Sequence, residues 1–90
     1  MQTFKIPENN LDELYFVYYR LKAMDELLND NQRNKTGFSP KWSEYLTNIH
    51  KELQQEYNVV AEKIAFQFAP FNNFSYCIDI TKGSINYCES

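Results

Sequence analysis

The sequence predicts an α+β fold in which a long antiparallel helical hairpin packs against a small antiparallel β-sheet. Two segments repeat apolar residues at spacings of three and four, which is the period of an amphipathic helix. Two shorter segments near the C-terminus alternate apolar and polar residues, as strands do. Only two glycines occur among 90 residues, which favours long elements joined by few tight turns. We therefore expect a single domain over residues 1–90.

The N-terminal third predicts a short strand and the first helix. Residues 3–6 alternate between apolar and polar side chains, and Pro7 ends this run. We expect the helix over residues 11–29, with Asn10 as its N-cap and Glu13 completing a capping box. Its apolar stripe comprises Leu11, Leu14, Tyr18, Leu21 and Leu28, with Val17 and Met24 at the edge.

A polar loop over residues 30–38 is expected to lead into a second helix at residues 40–68. Ser39 is a favourable N-cap, and Pro40 suits the first helical position because no helical bond uses its missing N–H. The apolar stripe of this helix comprises Trp42, Leu46, Ile49, Leu53, Tyr57, Val60 and Ile64. Because the second helix is the longer one, we expect its C-terminal end to overhang the first helix and to need a cover.

A β-hairpin at the C-terminus is expected to provide that cover. Residues 75–80 and 84–88 both alternate, and Gly83 between them tolerates the positive φ of a tight turn. We expect Ile78 to pair with Tyr87, because a slip of one residue would break the shared apolar face. An isolated hairpin is marginal in water, so we expect it to pack on the helices, with the N-terminal strand as a further partner.

Charge and hydropathy disfavour two classes of partner. The net charge is −3, the sequence pI is about 5.0, and the nine Lys and Arg residues are scattered. Nucleic acids and anionic membranes are bound through clustered basic residues, so neither is an expected partner. No apolar stretch approaches the ~20 residues of a membrane span, and no signal-peptide core is recognisable. The expected location is cytoplasmic.

Cys77 and Cys88 face each other in the expected hairpin register, which raises a cross-strand disulfide or half of a metal site as alternatives. A cytoplasmic location disfavours the disulfide. Zinc needs about four ligands, and His50 is the only further cysteine or histidine in the sequence. We therefore expect two ordinary thiols, a partly buried structural His50, no metal and no cofactor. His50 also lacks recognisable spacing to a nucleophile and an orienting acid, so we expect no enzymatic activity.

Asp25 is the most anomalous residue, because it lies in the middle of the first helix's apolar stripe. A buried carboxylate needs hydrogen-bond partners. One interpretation is a structural bond to Tyr45 or Trp42 that fixes the register of the two helices. The other is a polar contact with a bound partner.

The aromatic content exceeds what one small core requires, with seven Tyr, seven Phe and one Trp. Phe16 and Tyr19 lie well round the first helix from its stripe, and Tyr15 lies beside it. Exposed aromatic side chains mark interfaces. We therefore predict Tyr15, Phe16, Tyr19 and Asp25 as partner-binding residues. The alternative is that the sheet wraps all these rings.

These observations favour a small non-enzymatic protein-binding module that acts as an accessory or adaptor subunit of a larger protein or of a peptide-acting enzyme. Its partner would be another protein or a peptide, docked on the aromatic helix face or on a sheet edge. Two alternatives stay open: an inhibitor protein encoded by a phage or mobile element, and a homodimer that forms a helical bundle.

Overall fold

The computed structural model describes the backbone of residues 1–34 and 40–90, and the side chains of residues 1–29 and 40–90. The described elements are β1 (Gln2–Lys5), α1 (Glu8–Asn34), α2 (Pro40–Gln67), β2 (Phe74–Asp79) and β3 (Ser84–Glu89). The helices form an antiparallel pair, and the strands form one antiparallel sheet in the order β1-β3-β2. The expected α+β fold is confirmed, including the N-terminal strand.

Helix α1 begins three residues earlier than the sequence predicted. The backbone N–H of Leu11 donates to the Pro7 carbonyl at 2.9 Å, so Pro7 accepts the first helical bond and Glu8 is already helical. Asn10 is therefore inside the first turn and is not the N-cap. Its side chain is buried, and its amide donates to the Gln67 side-chain oxygen at 3.4 Å, which joins the start of α1 to the end of α2.

The two helices have nearly equal length, 27 residues in α1 and 28 in α2. Residues 30–34 are helical although a loop was predicted there. The rest of that predicted loop and the predicted N-cap Ser39 lie outside the described residues. Because α1 is longer at both ends than predicted, the expected overhang of α2 is wrong.

Two ion pairs and one hydrogen-bonded pair mark the register of the helices. Glu13 accepts from Lys63 at 3.0 and 3.1 Å, Arg20 lies 3.7 Å from Glu56, and Asp25 contacts His50. Each step towards the C-terminus of α1 is matched by a step towards the N-terminus of α2. The helices therefore stay side by side along the length that these pairs span.

Half of the fourteen stripe residues are buried as predicted, and six others are partly buried. The buried members are Leu14, Val17 and Leu21 in α1 and Leu46, Leu53, Val60 and Ile64 in α2. Trp42 is an exception, because 51% of it is exposed and its ring packs beside Tyr45 at 5.4 Å. It lies near the end of the hairpin that the sheet does not reach.

The hairpin register differs by two residues from the predicted one. Ile78 pairs with Ile85, and Tyr76 pairs with Tyr87. A slip of two residues keeps every side chain on its face, so the apolar face survives. Cys77 pairs with Asn86 instead of Cys88, so the predicted direct pairing of the two cysteines is wrong.

The register shifts because the turn is longer than a two-residue turn. Residues 80–83 connect the strands, and Gly83 has a φ of +63°. The Asp79 carboxylate accepts from the Thr81 hydroxyl at 2.6 Å and from the Lys82 N–H at 3.2 Å. Asp side chains commonly stabilise turns by accepting hydrogen bonds from the residues that follow them.

The core lies where the sheet meets one end of the helical hairpin. Its buried cluster consists of Ile6, Leu14, Val17, Val60, Ala61, Ile64, Ala65, Ile85 and Tyr87. The α1 members come from the first half of that helix, and the α2 members come from the last third. The sheet therefore covers the end of the hairpin formed by the first half of α1 and the last third of α2, which we call the proximal part. The remainder of the hairpin, the distal part, extends beyond the sheet.

The molecule is elongated as a result, with principal extents of 49 × 23 × 19 Å. Its radius of gyration is 16.2 Å, whereas a compact chain of this length has about 12 Å. Within the described residues, neither helix has a stretch apolar enough to cross a membrane.

Candidate protein-binding surface

Helix α1 has a second apolar stripe that faces away from the core. Phe16, Tyr19, Ala23 and Leu27 follow one another at spacings of three, four and four, which places them along one side of the helix. Phe16 is 65% exposed, Tyr19 59% and Leu27 38%. We call these four residues the α1 outer surface. Leu14 and Leu21 are buried on the other side, so α1 is apolar on two faces.

Neighbouring side chains hold the two large rings of this surface. The Arg20 guanidinium lies over the Phe16 ring, 5.2 Å from its centroid. The Tyr19 ring stacks on Tyr15 with centroids 5.5 Å apart and meets Tyr18 edge-on at 5.5 Å. Rings that are ordered before binding lose less conformational entropy when a partner covers them.

A hydrogen bond from Tyr15 links this ring stack to the β2–β3 turn of the sheet. Its hydroxyl donates to the Ile80 carbonyl in the β2–β3 turn at 2.6 Å, and its side chain is half-buried. Of the four predicted partner-binding residues, Phe16 and Tyr19 belong to the α1 outer surface. Tyr15 is only half-exposed, and its ring stacks against the Tyr19 ring.

The α1 outer surface continues into a hollow between the two helices. This hollow has a volume of about 330 Å³ and is lined by Arg20, Ala23, Met24, Leu27, Ile49 and Leu53. Ala23 and Leu27 belong to both features, so the stripe and the hollow form one continuous surface. Its lining is aliphatic except for Arg20, which sits at the rim beside Glu56.

Asp25 lies away from this surface. It follows Phe16 by nine residues, which puts it on the opposite side of α1 at about 100° per residue. Its side chain is 53% exposed and contacts the His50 ring of α2. The predicted burial of Asp25 is therefore wrong, and it contacts His50, not Tyr45. His50 itself is partly buried, as predicted.

The shifted pKa values arise from structural contacts outside the α1 outer surface. Burial raises the pKa of Tyr57, and nearby Tyr18 raises it further. Burial likewise raises the pKa of Tyr76 and of Tyr87. The Thr81 hydroxyl and the Lys82 N–H lower the pKa of Asp79. None of these four groups belongs to the α1 outer surface.

The sequence contained a signal for the rest of the surface. Ala23 and Leu27 continue the spacing of Phe16 and Tyr19, so the second stripe is visible in the residue pattern. The hollow was not predictable, because it depends on Ile49 and Leu53 approaching α1 from the other helix.

No family model, curated protein or solved structure matches this chain.

Proposed function

We propose that this chain is a small protein-binding module that acts as an accessory or adaptor subunit, and that the α1 outer surface is where its partner docks. The observation that carries the proposal is the second apolar face of α1. A helix that is apolar on two faces normally has both covered. In this chain α2 covers one of them.

The distal hairpin supports the same proposal. The sheet covers only the proximal part, so the hollow lined by Ile49 and Leu53 is open to an incoming side chain. Anchor side chains that fill such hollows supply most of the energy of many interfaces. We infer a partner that inserts an aliphatic or aromatic side chain beside Leu27 and presents a carboxylate to Arg20 at the rim.

Site-specific photo-crosslinking in cells of the source organism tests this proposal. Phe16 and Phe66 form a matched pair, since each is a phenylalanine that is 65% exposed on a helix. A benzoylphenylalanine at position 16 should crosslink to one discrete larger protein, and the same residue at position 66 should not.

Two results would overturn the proposal. Equal crosslinking from positions 16 and 66 would mean that the α1 outer surface has no special role. A product of twice the 10.8 kDa chain mass would mean that the surface binds a second copy, and the chain would then be a homodimer.

A further inference from the structure

Three sulfur-containing residues lie on the outer face of the sheet. Side chains alternate between the two faces of a strand. Tyr87 and Ile85 are buried on the inner face, so Asn86 and Cys88 of β3 point outwards. Cys77 pairs with Asn86 and therefore points outwards too.

Met1 reaches the same face from the other edge of the sheet. Gln2 pairs with Tyr87 across β1 and β3. Met1 precedes Gln2 by one residue, so it falls opposite Cys88 on the outer side. Met1, Cys77 and Cys88 all line one hollow of about 170 Å³, together with Ser75, Tyr76 and Asn86. Met1 is 88% exposed, so its thioether is free to turn towards the thiols.

The strand register disfavours a disulfide between the cysteines. Cys77 and Cys88 are diagonal neighbours, because Cys77 pairs with Asn86 and Cys88 pairs with Ser75. Diagonal Cα atoms are about 7–8 Å apart, whereas a disulfide closes at about 4.4–6.8 Å. Both thiols are free and exposed. An ion placed between them would add two metal–sulfur bonds of about 2.3 Å each, taking the zinc–thiolate length as a guide.

We propose that this hollow binds a single monovalent copper ion through the thiolates of Cys77 and Cys88 and the thioether of Met1. Thiolate and thioether ligands select Cu(I), zinc or iron–sulfur clusters. Iron–sulfur clusters take four cysteines, and this site has two. Zinc takes four ligands in structural sites. Within the part of the chain that the structure describes, no group of three His, Cys, Asp or Glu side chains offers such a set.

Anaerobic titration of the whole, reduced chain against a bicinchoninate–Cu(I) complex tests the site, with ascorbate present to keep copper reduced. The chain should remove one copper ion per molecule from the chelator. A near-ultraviolet thiolate-to-copper absorbance should rise with the same stoichiometry. Loss of a partner that only orients a metal ligand costs roughly 10–100-fold in affinity, so C77S and C88S, which each remove a ligand, should weaken binding roughly a hundredfold or more. The double variant should remove no copper.

Two further variants separate the sulfur ligands from the rest of the hollow. M1L, released from a cleavable fusion, should bind roughly tenfold more weakly, because it keeps the shape of the side chain but loses the sulfur. S75A lines the same hollow without a soft ligand and should bind as the unaltered chain does. Both cysteines are exposed, so the double serine variant should keep the melting temperature of the unaltered chain.

The proposal is overturned if the folded double serine variant still removes copper from the chelator. It is also overturned if the unaltered chain competes no better than the same concentration of free cysteine. A stoichiometry of one copper per two chains would place the ion between copies and would equally contradict a site within one chain.

Discussion

Tyr87 joins the sheet to the second helix through both its ring and its hydroxyl. The side chain is fully buried, and its hydroxyl donates to the Ala65 carbonyl near the C-terminal end of α2 at 2.7 Å. Its ring meets Phe4 at 5.9 Å and Phe74 at 5.4 Å, both edge-on. One residue therefore fixes the distance between β3 and α2.

Replacing Tyr87 with Phe keeps the ring contacts and removes the hydroxyl. The Ala65 carbonyl then loses this partner in a buried site, so we expect the free energy of unfolding to fall by about 1–2 kcal/mol. Urea denaturation monitored by circular dichroism measures this change. An unchanged midpoint would show that the hydroxyl bond contributes nothing to the sheet–helix contact.

Asp79 makes the stability of the β2–β3 turn depend on pH. Its bonds to Thr81 and Lys82 lower its pKa in the folded state below the ordinary value of 3.8. The contribution of the carboxylate is therefore fully present above the unfolded-state pKa and is lost as the pH falls through the folded-state pKa.

Replacing Asp79 with Ala should accordingly lower the unfolding free energy near neutral pH and matter less in acid. Urea melts of both chains near pH 7 and at about pH 2.5 give the comparison. A difference between the two chains that is the same at both pH values would contradict this account of the turn.

The Asp25–His50 contact joins the two helices at a largely exposed position. The two side chains are 53% and 28% exposed, and polar side-chain pairs at such exposure contribute about 0–1 kcal/mol even when both partners are charged. Asp25→Ala should therefore cost less than about 1 kcal/mol. In a double-mutant cycle with His50→Ala, the coupling energy from urea denaturation should be equally small. A loss of about 3 kcal/mol would mean that Asp25 is the buried structural residue that the sequence indicated.

Helix and strand types were predictable from residue period, whereas the ends and the register were not. Pro7 was predicted to end the strand. Its carbonyl also accepts the first hydrogen bond of α1, so the helix begins earlier than its predicted start. The strand pattern has a period of two, so pairing Ile78 with either Ile85 or Tyr87 preserves the apolar face. The difference depends on turn length, and the Asp79 side chain bonds to Thr81 and Lys82 within the longer turn.

Asp25 shows why stripe position did not predict burial. It lies on the helical side of Leu14 and Leu21, both of which are buried. The sheet packs on that end of the hairpin and does not reach Asp25. Residues on this side of α1 are therefore buried near the sheet and exposed to solvent farther from it.

The molecule has an extended shape because its sheet is short and its helical hairpin is long. The 49 Å long axis reflects two helices that continue beyond their shared core. The exposure of Phe16 and Tyr19 was predictable because their angle from the stripe places them away from α2. The hollow that completes the surface was not predictable, because it depends on how the two helices approach each other.

The most direct test of the central claim replaces Phe16 and Tyr19 together by Ser. The measurement is the affinity for the protein that crosslinks to position 16, by titration calorimetry, alongside the melting curve of the isolated chain. Phe66→Ser is the control, because it removes an equally exposed ring elsewhere.

The double variant should lose about 1–2 kcal/mol of unfolding free energy, from the ring stack and the Arg20 contact. It should bind its partner at least roughly a hundredfold more weakly, as loss of central aromatic residues does at interfaces. Phe66→Ser should bind as the unaltered chain does. Unchanged binding by the double variant, or a stability loss of about 3–5 kcal/mol as for a core phenylalanine, would contradict the assignment of the α1 outer surface as the docking site.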